Sequence, residues 1–300
     1  ATGTLTVTVT AVNDAPVAID DTLTVNEDAA LTSTDVIAND TDIDADTLTL
    51  TAASTAGTGT VAVNADGVSV DYTPAADFNG TETITYTVSD GTLTDATGTL
   101  TVTVTAVNDA PVAVANTLTV DEDAALTSTD VIANDTDVEG DTLSLTAATT
   151  AGTGTVAVNA DGVSVDYTPL ANFNGTETIT YTVSDGTLTD ATGTLTVTVT
   201  AVNDTPVASA QSVTTIEDIS IEISLSGSDI DGDTLTYQVV TSPLNGTVTL
   251  TGDKATYTPS KGYFGSDSFT YKTNDGTVDS SIETISISVT SNDFDEDGIL

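Results

Sequence analysis

Apolar and polar residues alternate one by one along short stretches of this chain. Six such stretches occur in the first third of the sequence, among them Ile-Thr-Tyr-Thr-Val at 84–88 and Leu-Thr-Val-Thr-Val at 100–104, and a further strand is predicted near Leu31–Ile37. Alternation of this kind is typical of strands that bury one face. Turn sequences separate the stretches, for example Asn-Ala-Asp-Gly at 64–67 and Ser-Asp-Gly at 89–91. Helical periodicity is absent, so the pattern predicts an all-β fold.

The whole pattern returns after 95 residues, the spacing from Asn13 to Asn108. The phrase Ala-Val-Asn-Asp-Ala-Pro stands at 11–16 and 106–111, and Ala-Val-Asn-Asp-Thr-Pro stands at 201–206. A fixed period indicates an array of similar units. Seven short strands in a unit of this length predict an immunoglobulin-like β-sandwich for each repeat.

The period also sets the expected domain boundaries. Residues 1–12 are identical to residues 96–107, so we expect the chain to begin with the last strand of a preceding module. Repeats 1 and 2 are nearly identical, whereas repeat 3 has diverged and holds all the lysines. The predicted segments are an orphan strand at 1–11, repeat 1 at 12–106, repeat 2 at 107–201, repeat 3 at 202–291 and the start of a calcium-loop segment at 292–300.

Aromatic residues are few and stand at inward positions of the predicted strands. Tyr72, Phe78 and Tyr86 are the large aromatic residues of repeat 1. Such residues are most often buried core. We therefore expect them to fill the sandwich rather than to form a platform for stacking sugars.

The charge of the chain is extreme, with 46 acidic residues against three lysines and a net charge of −43. Nucleic acid is excluded as a partner because phosphate binding needs Lys and Arg, and docking on anionic membranes is disfavoured. No apolar run is long enough to insert into a membrane. Clustered carboxylates repel one another unless cations neutralise them. The alternative is an acidic surface that is simply solvated.

Acidic residues converge at one end of each predicted sandwich from three segments. In repeat 2 these are the linker Asn108-Asp109, the loop with Asp137 and Glu139, and Asp185 between the last two strands. Alternate carboxylates in a loop point toward a common centre, and Ca²⁺ prefers six to eight oxygen ligands. The counterparts are Asn13, Asp14, Asp42, Asp44 and Asp90 in repeat 1 and Asn203, Asp204, Asp229, Asp231 and Asp275 in repeat 3.

Other acidic residues belong to the opposite end of each sandwich. Glu27 and Asp28 end the first strand, and Glu82 begins the sixth strand at an inward position. An inward carboxylate is costly unless something pairs with it. One repeat and the next are therefore both expected to direct carboxylate oxygens at the linker between them. The alternative is that each motif, taken singly, is only a turn. The counterparts are Glu122, Glu177, Glu217 and Asp267.

These motifs resemble those of cadherins, and more closely the bacterial cadherin-like repeats of large secreted adhesins. The resemblance implies calcium between consecutive modules. It implies Glu27, Asn108, Asp109, Asp137, Glu139 and Asp185 as ligands at the first joint. It implies Glu122, Asn203, Asp204, Asp229, Asp231 and Asp275 at the second. The D-x-E position of cadherins holds Asp77 in repeat 1, Asn172 in repeat 2 and Gly262 in repeat 3, so we expect one to three ions per joint.

The C-terminal end of the chain carries a further acidic motif. Asp293, Asp295, Asp297 and Gly298 form the first half of an EF-hand-type calcium loop, in which glycine makes the sharp turn. The motif is similar to the calcium loops of thrombospondin type 3 repeats. The alternative is an acidic linker.

The function predicted from these patterns is an extracellular, calcium-rigidified spacer of a large bacterial surface adhesin, acting in cell adhesion and biofilms. Its partners would be the neighbouring repeats, and a glycan or surface ligand would bind elsewhere in the parent chain. One alternative is self-association into a fibre or biofilm matrix, with residues 1–11 donating a strand. Another is a glycan-binding accessory module. An enzyme is not expected, because the chain lacks His, Cys and Arg.

Overall fold

The computed structural model describes residues 1–92, 95–187 and 190–292. These residues form β-strands joined by turns and loops and contain no helix, so the predicted all-β class is confirmed. No apolar helix of membrane-spanning length occurs among them. The chain divides into two compact units. The first holds the described residues of 1–114, 132–146 and 182–193, and the second holds the described remainder.

Repeat 1 is a sandwich of a four-stranded and a three-stranded sheet, with strand orders β1-β7-β6-β3 and β2-β5-β4. The first and last strands, β1 and β7, pair in parallel, and the other neighbours pair antiparallel. The strands are β1 Asp21–Asn26, β2 Thr32–Asp35, β3 Thr49–Thr55, β4 Thr60–Val63, β5 Ser69–Thr73, β6 Gly80–Ser89 and β7 Ala96–Thr105.

Repeat 2 has the same seven strands, in sheets of order β10-β13-β14-β8 and β11-β12-β9. Again the first strand pairs in parallel with the last. The strands are β8 Asn116–Asp121, β9 Thr127–Asp130, β10 Ser144–Thr150, β11 Thr155–Val158, β12 Ser164–Thr168, β13 Gly175–Ser184 and β14 Ala191–Thr200.

Repeat 3 keeps this plan, with sheets β16-β23-β22-β19 and β17-β21-β20, and adds a two-stranded pair, β15 with β18. In repeats 1 and 2, single bridges Val17–Thr41 and Val112–Thr136 connect the corresponding segments. The strands are β15 Val207–Ala208, β16 Gln211–Ile216, β17 Ile221–Ser224, β18 Gly227–Ser228, β19 Thr236–Thr241, β20 Gly246–Thr251, β21 Lys254–Pro259, β22 Gly265–Asn274 and β23 Glu283–Thr290.

The core of repeat 1 follows from the alternation in its sequence. Ile84, Tyr86 and Val88 on β6 are fully buried, and the threonines between them face outward. Tyr72 on β5 is also fully buried, and Phe78 packs against the same core while partly exposed. The aromatic residues therefore serve as core, as the sequence predicts.

Residues 1–10 form no strand within this chain, and the assignment of 1–11 to a preceding module stays a prediction. Residues 1–10 pair with no other strand of the described chain, and Leu5 and Val9 are each 88% exposed. A strand needs a hydrogen-bonded neighbour. The same ten residues at 96–105 form β7, because β1 and β6 lie on either side of them.

Candidate metal centres

The linker between repeats 1 and 2 lies within a group of acidic residues, which we call joint 1: Glu27, Asp28, Asp77, Asn108, Asp109, Asp137, Glu139 and Asp185. All of them belong to the first compact unit. The corresponding group at the linker between repeats 2 and 3 is joint 2: Glu122, Asp123, Asn172, Asn203, Asp204, Asp229, Asp231 and Asp275. All of these belong to the second unit.

Glu27 reaches joint 1 because it extends β1 by one residue. Its N–H donates to the Thr105 carbonyl, which continues the ladder between β1 and β7 and turns the side chain inward. The carboxylate is only 2% exposed. Its Oε1 accepts from the Val107 N–H at 2.6 Å, so Glu27 holds the start of the linker.

Asp28 and Asp77 reach joint 1 through left-handed backbone turns, with φ of 57° and 55°. The Asp77 N–H donates to Asp28 Oδ1 at 3.2 Å, which joins the two turns. Left-handed φ favours Gly, Asn and Asp. The same requirement accounts for Asn172 (φ 56°) and Gly262 (φ 67°) at the equivalent positions. The backbone therefore favours Gly, Asn and Asp at this position, and only Asp carries a charge.

The linker is fixed to repeat 2 by two hydrogen bonds. Asn108 Nδ2 donates to Asp185 Oδ2 at 2.5 Å, and the Asp109 N–H donates to Glu139 Oε2 at 3.1 Å. Burial, together with the charges of Asp28 and Glu139, raises the pKa of Asp109. The Asp109 carboxylate thus lies between the acidic ends of two repeats.

Two overlapping trios of carboxylates in joint 1 lie close enough together to hold a metal ion. Glu27, Asp109 and Glu139 form one, and Asp28, Asp77 and Asp109 form the other; in each, one oxygen per residue lies within 4.8 Å of the others. Asp109 belongs to both trios. The donors are all carboxylates, which a hard cation such as Ca²⁺ prefers.

Joint 1 also holds four buried carboxylate oxygens that accept no hydrogen bond. A buried polar atom without a partner costs free energy, and the cost is greater for a charged group. Three of the four oxygens belong to residues of the two trios, which a bound cation would neutralise, so the residues present fit calcium. The oxygens are Glu27 Oε2, Asp109 Oδ2, Asp137 Oδ2 and Glu139 Oε1.

Joint 2 repeats the anchoring contacts of joint 1. Glu122 Oε1 accepts from the Val202 N–H at 2.7 Å. Asn203 Nδ2 donates to Asp275 Oδ2 at 2.8 Å, and the Asp204 N–H donates to Asp231 Oδ2 at 2.7 Å. The Asn203 amide and the Val278 N–H hold the pKa of Asp275 far below its ordinary value.

Half of such a joint is found at each end of the described array. At the beginning, Asn13 Nδ2 donates to Asp90 Oδ2 at 2.6 Å, and the Asp14 N–H donates to Asp44 Oδ2 at 2.7 Å. Asp42 belongs to this group, since its Oδ1 accepts from the Asp44 N–H. At the other end, Glu217 Oε1 accepts from the Asn292 N–H at 2.9 Å. The predicted ligands Asp293, Asp295 and Asp297 lie outside the described residues.

Three predicted ligands, Glu82, Glu177 and Asp267, are not brought to the joints. Glu82 is 4% exposed and accepts hydrogen bonds from the N–H groups of Thr58 and Gly59 and from the Tyr72 hydroxyl. Glu177 has the equivalent partners in repeat 2. Asp267 accepts from three backbone N–H groups and the Tyr257 hydroxyl. These carboxylates fasten a loop to the core within one repeat.

The set of ligands inferred from sequence omits Asp28 and Asp123. Their signal is the acidic residue directly after Glu27 and Glu122, which both repeats share. The amide of Asn172 is also part of the site as a donor rather than as a metal ligand. Whether a residue at this position acts as a hydrogen-bond donor or as a metal ligand depends on which residues surround it in the fold.

The profile of the bacterial Ig domain family matches residues 13–104, 108–199 and 203–290. The chain belongs to the bacterial Ig domain family. The predicted resemblance to tandem Ig-like and cadherin-like repeats is therefore confirmed. None of the curated proteins matches this chain in sequence.

Solved structures of cadherins have the same fold. A fragment of mouse cadherin-23, EC22-24, superposes with a TM-score of 0.63 at 18% identity, covering 93% of this chain and 100% of the fragment. The extracellular domain of protocadherin gammaB4 gives 0.60 at 15% identity over 92% of this chain and 49% of that protein. Cadherin domains 3–6 of protocadherin gamma B2 give 0.57 at 13% identity, over 91% and 73%. At these identities the likeness concerns the fold alone.

Proposed function

We propose that this chain is a calcium-rigidified spacer in an extracellular bacterial adhesin. The observation that carries the proposal is the group of four buried carboxylate oxygens without partners at joint 1. One comes from Glu27 at the end of β1 in repeat 1, one from Asp109 in the linker, and two from Asp137 and Glu139 in the acidic loop of repeat 2. A divalent cation bound there would tie three segments together that otherwise repel one another.

The chain's own residues prepare the linker for this role. Glu27 and Asn108 each form a hydrogen bond that holds it, one from each side, and Asp109 lies between the two trios. Bound calcium would supply positive charge and oxygen coordination at Asp109. Extracellular modules commonly bind calcium at about 10⁻⁴–10⁻³ M, so such joints would be filled outside a cell and empty in the cytosol.

Support for a mechanical rather than a catalytic role comes from composition. The chain has no His, Cys or Arg, so it lacks an imidazole base and a thiolate nucleophile. Near-identical repeats supply the same side chains several times over, which suits a stalk of repeated modules. The adhesive surface of such a protein would lie in another part of the parent chain.

Small-angle X-ray scattering of the whole chain, in millimolar calcium and then in chelator, tests the proposal. We expect a longer and more sharply defined maximum dimension in calcium, because each joint is then stiff. The control is the variant Asp109→Asn with Asp204→Asn, which should give the chelator profile in both buffers. An unchanged wild-type profile would contradict the proposal, and growth of the particle with protein concentration would favour the fibre alternative.

A further inference from the structure

Joint 1 and joint 2 differ at two equivalent positions: Glu139 corresponds to Asp231, which are both carboxylates, and Asp77 corresponds to Asn172, where the charge itself changes. Asp77 and Asn172 have φ of 55° and 56°, and their N–H groups donate to Asp28 Oδ1 at 3.2 Å and to Asp123 Oδ1 at 2.8 Å. The two side chains therefore enter their joints from the same place. One is a charged carboxylate and the other a neutral amide.

The Asn172 amide already does in joint 2 what a cation would do in joint 1. With its nitrogen toward the acidic residues, it donates to Asp123 Oδ2 at 3.3 Å and to Asp204 Oδ2 at 3.1 Å. The equivalent oxygens in joint 1, on Asp28 and Asp109, lie beside the third carboxylate of Asp77. Joint 1 has three negative charges at this point, and joint 2 has two charges bridged by a donor.

A second contact also differs, although the residue type does not, because Asn174 of repeat 2 corresponds to Asn79 of repeat 1. Asn174 Nδ2 donates to Glu122 Oε2 at 3.4 Å in joint 2. In joint 1 the equivalent oxygen, Glu27 Oε2, accepts no hydrogen bond although Glu27 is almost fully buried. Among the described residues, joint 1 contains four buried carboxylate oxygens without a partner, whereas joint 2 contains one, Asp229 Oδ2.

We propose that the two joints are unequal calcium sites. Joint 1 takes one more ion than joint 2, at Asp28, Asp77 and Asp109, and joint 2 is the first to loosen as calcium falls. The inference rests on the proposed function, since both require calcium at the joints. Its physical basis is that the number of ligand charges tunes calcium affinity. An amide that satisfies two carboxylates removes the need for an ion there.

Isothermal titration calorimetry and equilibrium dialysis of the full chain with calcium test the difference through a pair of reciprocal variants. Asp77→Asn should lower the number of bound ions by one, and Asn172→Asp should raise it by one. Both substitutions suit a left-handed backbone, so folding is preserved. Asn172→Gly, which copies Gly262 of repeat 3, is the matched control: it removes the bridge without adding charge and should leave the ion count unchanged.

A second measurement follows each joint separately. The chain has no cysteine, so spin labels can be attached at Thr83→Cys with Thr178→Cys for joint 1. Thr178→Cys with Ser268→Cys serves for joint 2, and all three positions are exposed on equivalent strands. In a calcium titration, the distance distribution across joint 1 should narrow at about tenfold lower calcium than that across joint 2.

The outcomes separate the two proposals. Absence of calcium binding by the wild-type chain at millimolar concentration overturns both. Calcium binding whose ion count is the same in the wild type, Asp77→Asn and Asn172→Asp overturns only the inequality of the joints. Equal titration midpoints for the two label pairs overturn the predicted order of loosening.

Discussion

Two buried glutamates in repeat 1 illustrate what distinguishes a candidate metal ligand from a structural carboxylate. Glu27 and Glu82 are 2% and 4% exposed, and each stands at the end of a strand at an inward position. Glu82 is surrounded by donors, whereas Glu27 Oε2 has none. Burial alone does not identify a metal site. The oxygen of Glu27 that is left without a donor is what makes this residue a candidate metal ligand.

The donors around Glu82 come from the turn before β4. The N–H groups of Thr58 and Gly59 point at its carboxylate, and a Cβ on Gly57 would lie 2.3 Å from Glu82 Oε1. Glycine is therefore needed for the backbone to approach so closely. Burial raises the pKa of Glu82, but the Gly59 and Thr58 N–H groups and the Tyr72 hydroxyl more than offset it, so the pKa is lowered.

The largest change in stability should come from the substitution Glu82→Gln. The amide places an NH₂ group among N–H and O–H donors, so we expect a loss of about 2–3 kcal/mol in the free energy of unfolding of repeat 1. The loss should be the same in calcium and in chelator, measured by urea unfolding followed by circular dichroism. Glu177→Gln is the matched control in repeat 2. A loss confined to calcium would mean that Glu82 is a metal ligand after all.

The substitution Glu27→Gln should have a smaller effect, and this effect should be on calcium binding. Calcium affinity at joint 1 should fall about tenfold, which corresponds to about 1.4 kcal/mol. In chelator the variant should be at least as stable as the wild type, because one buried oxygen without a partner loses its charge. Calorimetric titration and thermal unfolding in both buffers measure this. Equal calcium affinities for variant and wild type would remove the distinction between the two glutamates.

The smallest effect should be the loss, at acidic pH, of the stability that Glu82 contributes. Since the folded-state pKa of Glu82 is lowered, its contribution to stability is full above about pH 4.3, the ordinary glutamate pKa. That contribution is lost as the pH falls through the folded-state value. The difference in unfolding free energy between wild type and Glu82→Gln should therefore shrink below pH 4, by about 1 kcal/mol per pH unit or less. Urea unfolding in chelator from pH 5 to pH 3 measures it, and a difference that grew in acid would contradict the assignment.

Much of the fold could be predicted from the sequence because its determinants are local. Alternation on β6 and β7 set which residues are buried, and the 95-residue period from Asn13 to Asn108 set the number of repeats. Residues 1–10 have the same alternation as β7 but form no strand within this chain, since pairing depends on neighbours that alternation does not describe. The domain boundaries proposed from the period stay predictions.

The candidate site was predicted in part. Glu27, Asp109 and Glu139 do come together, because an inward residue at the end of β1 and the acidic loop of repeat 2 both face the linker. Glu82 is also an inward carboxylate near a strand end, but it lies away from the joint and accepts hydrogen bonds from Thr58, Gly59 and Tyr72. Asp28 was omitted, and the role of Asn172 as a bridging donor could not be recognised from its residue type.

The sequence by itself determined the all-β class, the repeat, the core and the acidic character of the joints, because each follows from the order of residue types along a short stretch or at a fixed period. Only the tertiary structure decided which buried oxygens have donors. The donors come from distant positions, 24 residues away for Thr58 and Glu82 and 52 for Asn174 and Glu122. An inward carboxylate near a strand end therefore either accepts hydrogen bonds within one repeat or is left as a candidate calcium ligand, depending on which residues the fold packs against it.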